Sequence, residues 1–521
     1  MKKTVTLWMF ILFVHQGYAQ LAIEWQKQIG GSKEDLATAI IQTSDGGFIA
    51  FGDSQSDDGD ASGGHGVSDI WVVKMDPNGA IEWQRMYGGS SGEFGRAILP
   101  TKDGGYIFSG LAYSNDGDIS DHIDIADCWI VKIDASGNIE WEKSYSSGGV
   151  SEPSEIVQAE DGGYVVAASG SIQDFWFFKI DGQGNLEWEK FYGGSKQERL
   201  SKIRQTPDKG FILAGGSYSN DGDVTGHHGA VMFADFWIVK TDSLGDLQWQ
   251  KSLGGSFYDE AFNVLVTSDG GYLAAGVSKS NDWDVSGHHG LVGTSIDTWV
   301  VKLDGQGNIL WSRSLGGSAN FDRAFAYLSE TAEGDYILAG QTDSDDGDLL
   351  GISKGDWDCW ILKLDNAGAI LWQKVLGGSG TDAINDMVKT TDGGFAMVGI
   401  SNSTDGDVTV PIHPSLPGVT WFDFWVAKLN LLSGTEDLPN EHLKVMPNPF
   451  SSSFSITSDF APSIKHISFF NLLGQKVLQI EHYDGKTIDG SLLPEGWYLV
   501  RGQTVNGKTL QAKVLKVNSS Q

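Results

Sequence analysis

Six stretches of the 521-residue chain gather carboxylates at short, regular spacing. They read Asp57-Asp-Gly-Asp60, Asn115-Asp-Gly-Asp118, Asn220-Asp-Gly-Asp223, Asn281-Asp-Trp-Asp284, Asp345-Asp-Gly-Asp348 and Thr404-Asp-Gly-Asp407. Alternating side-chain oxygens around a tight turn suit a hard divalent cation, and calcium takes about six to eight such ligands. The residues placed for that chemistry are Asp58, Asp60, Asp69, Asp116, Asp118, Asp127, Asp221, Asp223, Asp282, Asp284, Asp346, Asp348, Asp405 and Asp407, and calcium is the expected cofactor. A plainer reading covers the same residues. Asp and Gly make good turns, and an Asp that precedes a recurring Trp bonds backbone within its own sheet.

Three of these loops read Asp-x-Asp-x-Ser/Thr-Gly: Asp58, Asp60, Ser62, Gly63; Asp221, Asp223, Thr225, Gly226; Asp282, Asp284, Ser286, Gly287. That order resembles the start of an EF-hand-type calcium loop. In the first two units an acid, Asp69 or Asp127, falls at the twelfth position. It is Asp where the EF-hand has the longer Glu, and no flanking helix is expected. Other chemistry is thinner. Gly-His-His-Gly occurs at His227-His228 and His288-His289, with His65 and His122 in comparable loops; such pairs either ligate zinc or copper or serve as polar loop residues. The longest loop, Val408 to Phe422, holds Pro411, His413, Pro417 and Trp421. Its Trp either stacks on a sugar ring or packs locally over the closure seam. Gly88-Gly-Ser-Ser-Gly92 matches a nucleophile-elbow pattern but does not sit on a strand-to-helix turn. His-Glu-x-x-His and Cys-x-x-Cys are absent from the sequence.

The elements that position these residues are read from repetition. Asp-x-Trp-x-x-Lys recurs seven times, at Trp71, Trp129, Trp176, Trp237, Trp299, Trp360 and Trp425. A second segment follows after an Asp-x-x-Gly link and carries Trp83, Trp141, Trp188, Trp249, Trp311 and Trp372. Asp opening and Gly closing a short link is hairpin chemistry. The Asp-x-x-Gly-x-x-x-Trp rhythm resembles the blade motif of quinoprotein propellers over one hairpin per blade. The adjacent cysteines of those enzymes are absent, so their quinone is not expected. Two further strands, as at Leu36–Thr43 and Phe48–Ser54 around an Asp-Gly-Gly turn, complete a four-stranded unit, A to D. The segment Ala22–Gly30 is a D strand without A, B or C before it, and the seventh unit lacks a D strand. The surplus fills the deficit if the array closes into a ring. The fold class expected is therefore all-β: a seven-bladed propeller over 20–430 closed by its N-terminal strand. A–B and C–D turns lie on one face of such a ring, and the long acidic B–C loops lie on the other. The third unit alone passes almost directly from Ser169 to Asp174.

Composition agrees. Gly is frequent (69), Pro scarce (12), and 19 Trp are present. The net charge of −32 disfavours nucleic acid and anionic membrane surfaces as partners. Cys128 and Cys359 fill the same slot in non-adjacent units, so both are expected as buried thiols. Lys2 and Lys3, the apolar run Val5–Val14 and Gly17-Tyr-Ala19 read as a signal peptide over 1–19, and no later run is long enough to span a bilayer. After a linker at 431–442 the Trp repeat stops. Residues 443–521 carry Met446-Pro-Asn-Pro-Phe450, Asn471-Leu-Leu-Gly-Gln475, Leu493-Pro-Glu-Gly-Trp-Tyr498 and the basic finish Lys513 and Lys516. In this order they resemble the type A C-terminal sorting domain of type IX secretion substrates in Bacteroidota, a small β-sandwich. The resemblance implies the type IX secretion machinery as a partner, export through the periplasm, and a place outside the cell or on its outer surface. The function expected is non-catalytic binding or adhesion to a glycan or protein on the B–C face. The alternatives are a polysaccharide hydrolase or lyase, which needs an acid/base pair outside the repeat, and a passive scaffold.

Overall fold

A computed structural model of the chain describes residues 20–170, 174–349, 354–410 and 421–432, and most strands of 444–517. The expected signal peptide, most of the linker, Pro411, His413, Pro417, and the Pro-Asn-Pro and Asn-Leu-Leu-Gly-Gln motifs lie outside the described residues. The chain divides into two units, Gln20–Leu431 and a C-terminal unit from Leu432.

Seven four-stranded antiparallel sheets make up the first unit. Blade 1 has strand A at Asp35–Gln42, B at Phe48–Ser54, C at Asp69–Met75 and D at Ile81–Tyr87. Blades 2 to 6 repeat this order. In blade 7 the order is Asp382–Lys389, Phe395–Ser401, Asp423–Leu432 and then Gln20–Ile29, so the first strand of the ring supplies the last blade's outer strand. Each strand A contacts strand A of the next blade all the way round, including blade 7 to blade 1.

Strands B and C are buried along their whole length in most blades because neighbouring blades cover both faces. The seven repeat tryptophans are the largest fully buried side chains. Their indole N–H groups report the closure. Trp71 donates to Gln84 at 2.7 Å, Trp237 to Gln250 at 2.8 Å and Trp360 to Gln373 at 2.9 Å, each thirteen residues on. Trp425 donates to Gln26 at 3.0 Å, 399 residues away. The repeat lysine is also structural: Lys74 Nζ lies 2.9 Å from both Asp45 of the A–B turn and Glu82 of strand D. Cys128 and Cys359 are buried and free.

Every strand A has a register shift after its first residues, between Ala37 and Ala39, Gly95 and Ala97, Pro153 and Glu155, Leu200 and Lys202, Ala261 and Asn263, Arg323 and Tyr327, and Ile384 and Asp386. A bulge bends the strand and re-aims the next side chain. The C-terminal unit holds a sheet of Lys444–Met446, Ser453–Thr457 and Ile488–Asp489, and a sheet in the order Lys476–Ile480, Ile464–Phe470, Gly496–Thr504, Thr509–Lys516. Phe454, Ile467, Phe469, Tyr498, Val500 and Val514 form its core.

Candidate functional site

The six acidic B–C loops lie against the Gly-Gly loops that lead into strand A of the same blade. The aspartate just before the Gly or Trp slot of each loop, at Asp58, Asp116, Asp221, Asp282, Asp346 and Asp405, accepts the backbone N–H of Ser32, Ser90, Ser195, Ser256, Ser318 and Ser379 at 2.6–2.8 Å. The second aspartate, at Asp60, Asp118, Asp223, Asp284, Asp348 and Asp407, donates its backbone N–H to the first glycine of that loop at 2.8–3.1 Å. Its carboxylate takes the same glycine's N–H at 3.1–3.4 Å. Each pair is thus a clamp between two loops. The acids before the tryptophans act likewise: Asp69, Asp127, Asp235, Asp297 and Asp358 each accept a backbone N–H from the end of their own B–C loop at 2.5–2.8 Å. As arranged, these carboxylates stand in pairs and not in a cage. Among the described residues no three His, Cys, Asp or Glu side chains gather around one point fit for a metal ion.

The sequence did not disclose how the histidines are used. In blades 1, 2, 4 and 5 an imidazole Nδ1 lies 2.9–3.1 Å from the pre-Trp aspartate: His65 with Asp69, His122 with Asp127, His228 with Asp235 and His289 with Asp297. In blades 4 and 5 the far nitrogen points at the next blade, with His228 Nε2 3.7 Å from Asp284 and His289 Nε2 3.8 Å from Asp348. Lys354 fills this slot in blade 6, its backbone N–H on Asp358 and its ammonium on Asp407. A basic side chain thus reaches from blades 4, 5 and 6 to the acidic loop of the next blade on the B–C face. The first histidine of each pair, His227 or His288, is buried, which lowers its affinity for a proton, to a pKa of about 4 for His288. Burial pushes Asp235 and Asp297 up to about 7.

The B–C face is also where apolar surface is left uncovered. Among the described residues the five most exposed large apolar side chains are Trp283 (73%), Met232 and Leu291 (each 70%), Val67 (68%) and Ile125 (66%), and all five stand on B–C loops. Trp283 occupies the glycine slot of the Asp-Gly-Asp loop. Its φ is 55°, against 62–68° for Gly59, Gly117, Gly222, Gly347 and Gly406. Its place as the one non-glycine in six aligned loops was the signal available in the sequence. Trp421, weighed above as a sugar platform, is half-buried with its Nε1 enclosed. Gly88 to Gly92 joins strand to strand and forms no nucleophile elbow.

Strand A breaks the sevenfold pattern. The slot after the structural acid at the start of strand A, which is Ser151 in blade 3, reads Leu36, Phe94, Glu152, Arg199, Glu260, Arg323 and Ala383. One level deeper, Glu155 of blade 3 pairs with Lys202 and, at 3.0 Å, with Arg204 of blade 4. Asp386 of blade 7 accepts the backbone N–H of Ile40 of blade 1 at 2.9 Å. Burial raises Asp386 to about 6, whereas Lys202 and Arg204 overcome the burial of Glu155 and hold it below the usual carboxylate range.

Fold and faces define an exported propeller, with the export half of that statement resting on the C-terminal unit. Residues 444–516 match the family described as the secretion system C-terminal sorting domain. The chain is thus a seven-bladed propeller carrying a type IX sorting domain, directed to the cell surface or beyond it. No helix among the described residues is long and apolar enough to cross a membrane. The regulatory protein FlaEY of Caulobacter vibrioides is 26% identical over 220 residues, 40% of this chain and 22% of that relative, so the chain spans about a fifth of the length of this curated relative. Among solved structures, the Pan2 WD40 domain of Neurospora crassa is 11% identical, with 79% of this chain and 96% of that one covered and a TM-score of 0.43. Sqt1 from Chaetomium thermophilum is 13% identical, with 75% and 88% covered and a TM-score of 0.39. The ring assignment rests on the sheet order given above.

Proposed function

We propose that this chain is a non-catalytic binding or adhesion protein whose B–C face takes a glycan or protein ligand outside the cell. One observation carries the reading: the most exposed apolar side chains of the propeller, Val67, Ile125, Met232, Trp283 and Leu291, are concentrated on that face. Large apolar side chains left in water on the loops of a rigid scaffold are suited to contact with a ligand. The carboxylates around it hold loops together, which argues for a rigid presenting surface and against chemistry at those positions. The test is a glycan array and a cell-surface adhesion assay with the full chain and with a V67S/I125S/L291S variant. The reading expects binding by the parent and loss in a variant that still melts cooperatively; equal binding by both overturns it.

A hydrolase reading draws support from strand A, where Glu155 and Asp386 are acids that do not recur in every blade and their proton affinities are pushed apart, as an acid and a base require. It expects polysaccharide cleavage by the parent and its loss in E155Q and D386N.

A further inference from the structure

Trp283 is out of place by every local rule of this fold. The slot it fills is left-handed, where a side chain on L-residues costs roughly 1–2 kcal/mol. The space is closed as well: a Cβ built on Gly59, Gly117, Gly222, Gly347 or Gly406 would come within 2.3–2.5 Å of a backbone carbonyl oxygen. Five loops of six accordingly keep glycine. Nothing is recovered by burial, because Trp283 is 73% exposed. A strained, exposed aromatic that contributes little to packing points to a contact made with something else.

Its surroundings narrow the ligand. Asp282 is taken up by Ser256, with its Oδ1 on the backbone N–H at 2.8 Å and its Oδ2 on the hydroxyl at 2.5 Å, which fixes the loop. On the other side Asp284 accepts the N–H of Gly254 at 3.3 Å and stays 29% exposed, so it keeps acceptor capacity toward solvent. The His228 ring of blade 4 lies 5.3 Å from the indole, centroid to centroid, at 52°. Its Nδ1 is held by Asp235 at 3.1 Å, leaving Nε2 toward Asp284 at 3.7 Å. An open indole face thus meets a carboxylate acceptor and an imidazole at one edge. That is an apolar plane bordered by hydrogen-bonding groups within one ring's width. It complements a pyranose, whose C–H face is apolar and whose hydroxyls lie at its rim. The charge of the chain, −32, disfavours acidic sugars at the same place.

We propose that Trp283 is a stacking platform for a pyranose ring of a neutral or amine-bearing saccharide, with Asp284 and His228 contacting its hydroxyl or amino groups. The proposal rests on the reading that the B–C face binds. It is tested by fluorescence and calorimetric titration of the full chain with cellohexaose, a glucosamine hexamer and hexagalacturonate, using the parent, W283Y, W283G and V67S/I125S. The parent is expected to bind one or both of the first two and not the third. W283Y should stay within a few-fold, and W283G should lose at least about tenfold in affinity. W283G should also melt above the parent, since glycine suits the slot, so weaker binding cannot be ascribed to unfolding. Saccharide binding unchanged in W283G overturns the platform, and so does tighter binding of hexagalacturonate. Binding lost in V67S/I125S but kept in W283G overturns it while leaving the B–C face intact as the binding surface. Failure of the parent to bind any of the three, or saturation only by a lysine-rich peptide, also overturns it, and the glycan array then decides the face separately.

Discussion

Trp299 is buried like its six counterparts, yet its indole N–H has no acceptor. In the other blades the residue thirteen positions on is Gln or Glu, or Gln26 in the closing blade; in blade 5 it is Ser312. Serine is too short to reach, and its hydroxyl turns to the carbonyl of Asp284 at 3.2 Å. A buried donor left unmade costs about 1–3 kcal/mol, and a made bond returns about 1 kcal/mol net. S312Q should therefore stabilise the propeller by roughly 1 kcal/mol, seen as a higher midpoint in urea. The gain should disappear in a W299F background; a gain that persists there would mean the glutamine works through the loop and not through the indole. This defect was legible in the repeat, where Ser312 breaks a column of Gln and Glu. The charged residues of strand A were less so. Strand A turns Glu155, Lys202 and Asp386 into a common slot through a backbone bulge, and no side-chain type announces that bulge.

At the level of strands and loops, periodicity carried most of the information. Four strands per unit, the tight A–B and C–D turns, and the missing strand of blade 7 could be read because each Trp and Gly has a fixed packing or turn duty. The B–C loops were half legible. Their acidity and face were evident, but the same Asp-Gly-Asp string suits either an ion or a neighbouring loop. Here the carboxylates accept N–H groups of the Gly-Gly-Ser loops. The clamp reading expects the same melting temperature in millimolar calcium and in chelator. Any ion that binds the native state alone must raise it, so a rise of several degrees would show that the loops rearrange to cage calcium. The closing strand gives a second expectation. Removing Gln20–Ile29 uncovers strand C of blade 7 and the face of Phe48, against which Trp25 packs at 5.8 Å. Loss of Trp25 and Ile29 from their core should cost several kcal/mol, at about 1.5–3 kcal/mol per large apolar side chain. The exposed edge should also promote association, checked by light scattering.

Across the whole ring, the buried acids and the lysine-paired acids shift in opposite directions, and the balance sets how stability depends on pH. Near the B–C loops, burial raises Asp35 to about 6 and Asp53, Asp235, Asp259 and Asp297 to about 7. On the A–B turns, hydroxyl and lysine partners hold Asp45, Asp103, Asp269 and Asp392 down at about 2. A carboxyl group raised in the folded state binds more protons there than in the unfolded chain. Its stabilising contribution is complete below the unfolded value near 3.8 and is lost as pH climbs through 6 to 7. The lowered acids act in reverse: their contribution is present above 3.8 and is lost as pH falls toward 2. His227 and His288, buried neutral, lose theirs as pH falls below about 6.5, which opposes the raised acids over part of the range. Between pH 8 and 6.5 the raised acids take up protons in the folded ring that the unfolded carboxylates do not, and protonation also relieves the self-repulsion of a chain at −32. The melting temperature at constant ionic strength should thus rise from pH 8 to pH 6.5, flatten, and fall below pH 4. D297N, which keeps an acceptor for His289 while removing a buried charge, should melt higher than the parent at pH 8 and show a shallower rise on acidification. A parent whose melting temperature declines steadily from pH 8 downward would mean that these aspartates stay ionised in the folded ring.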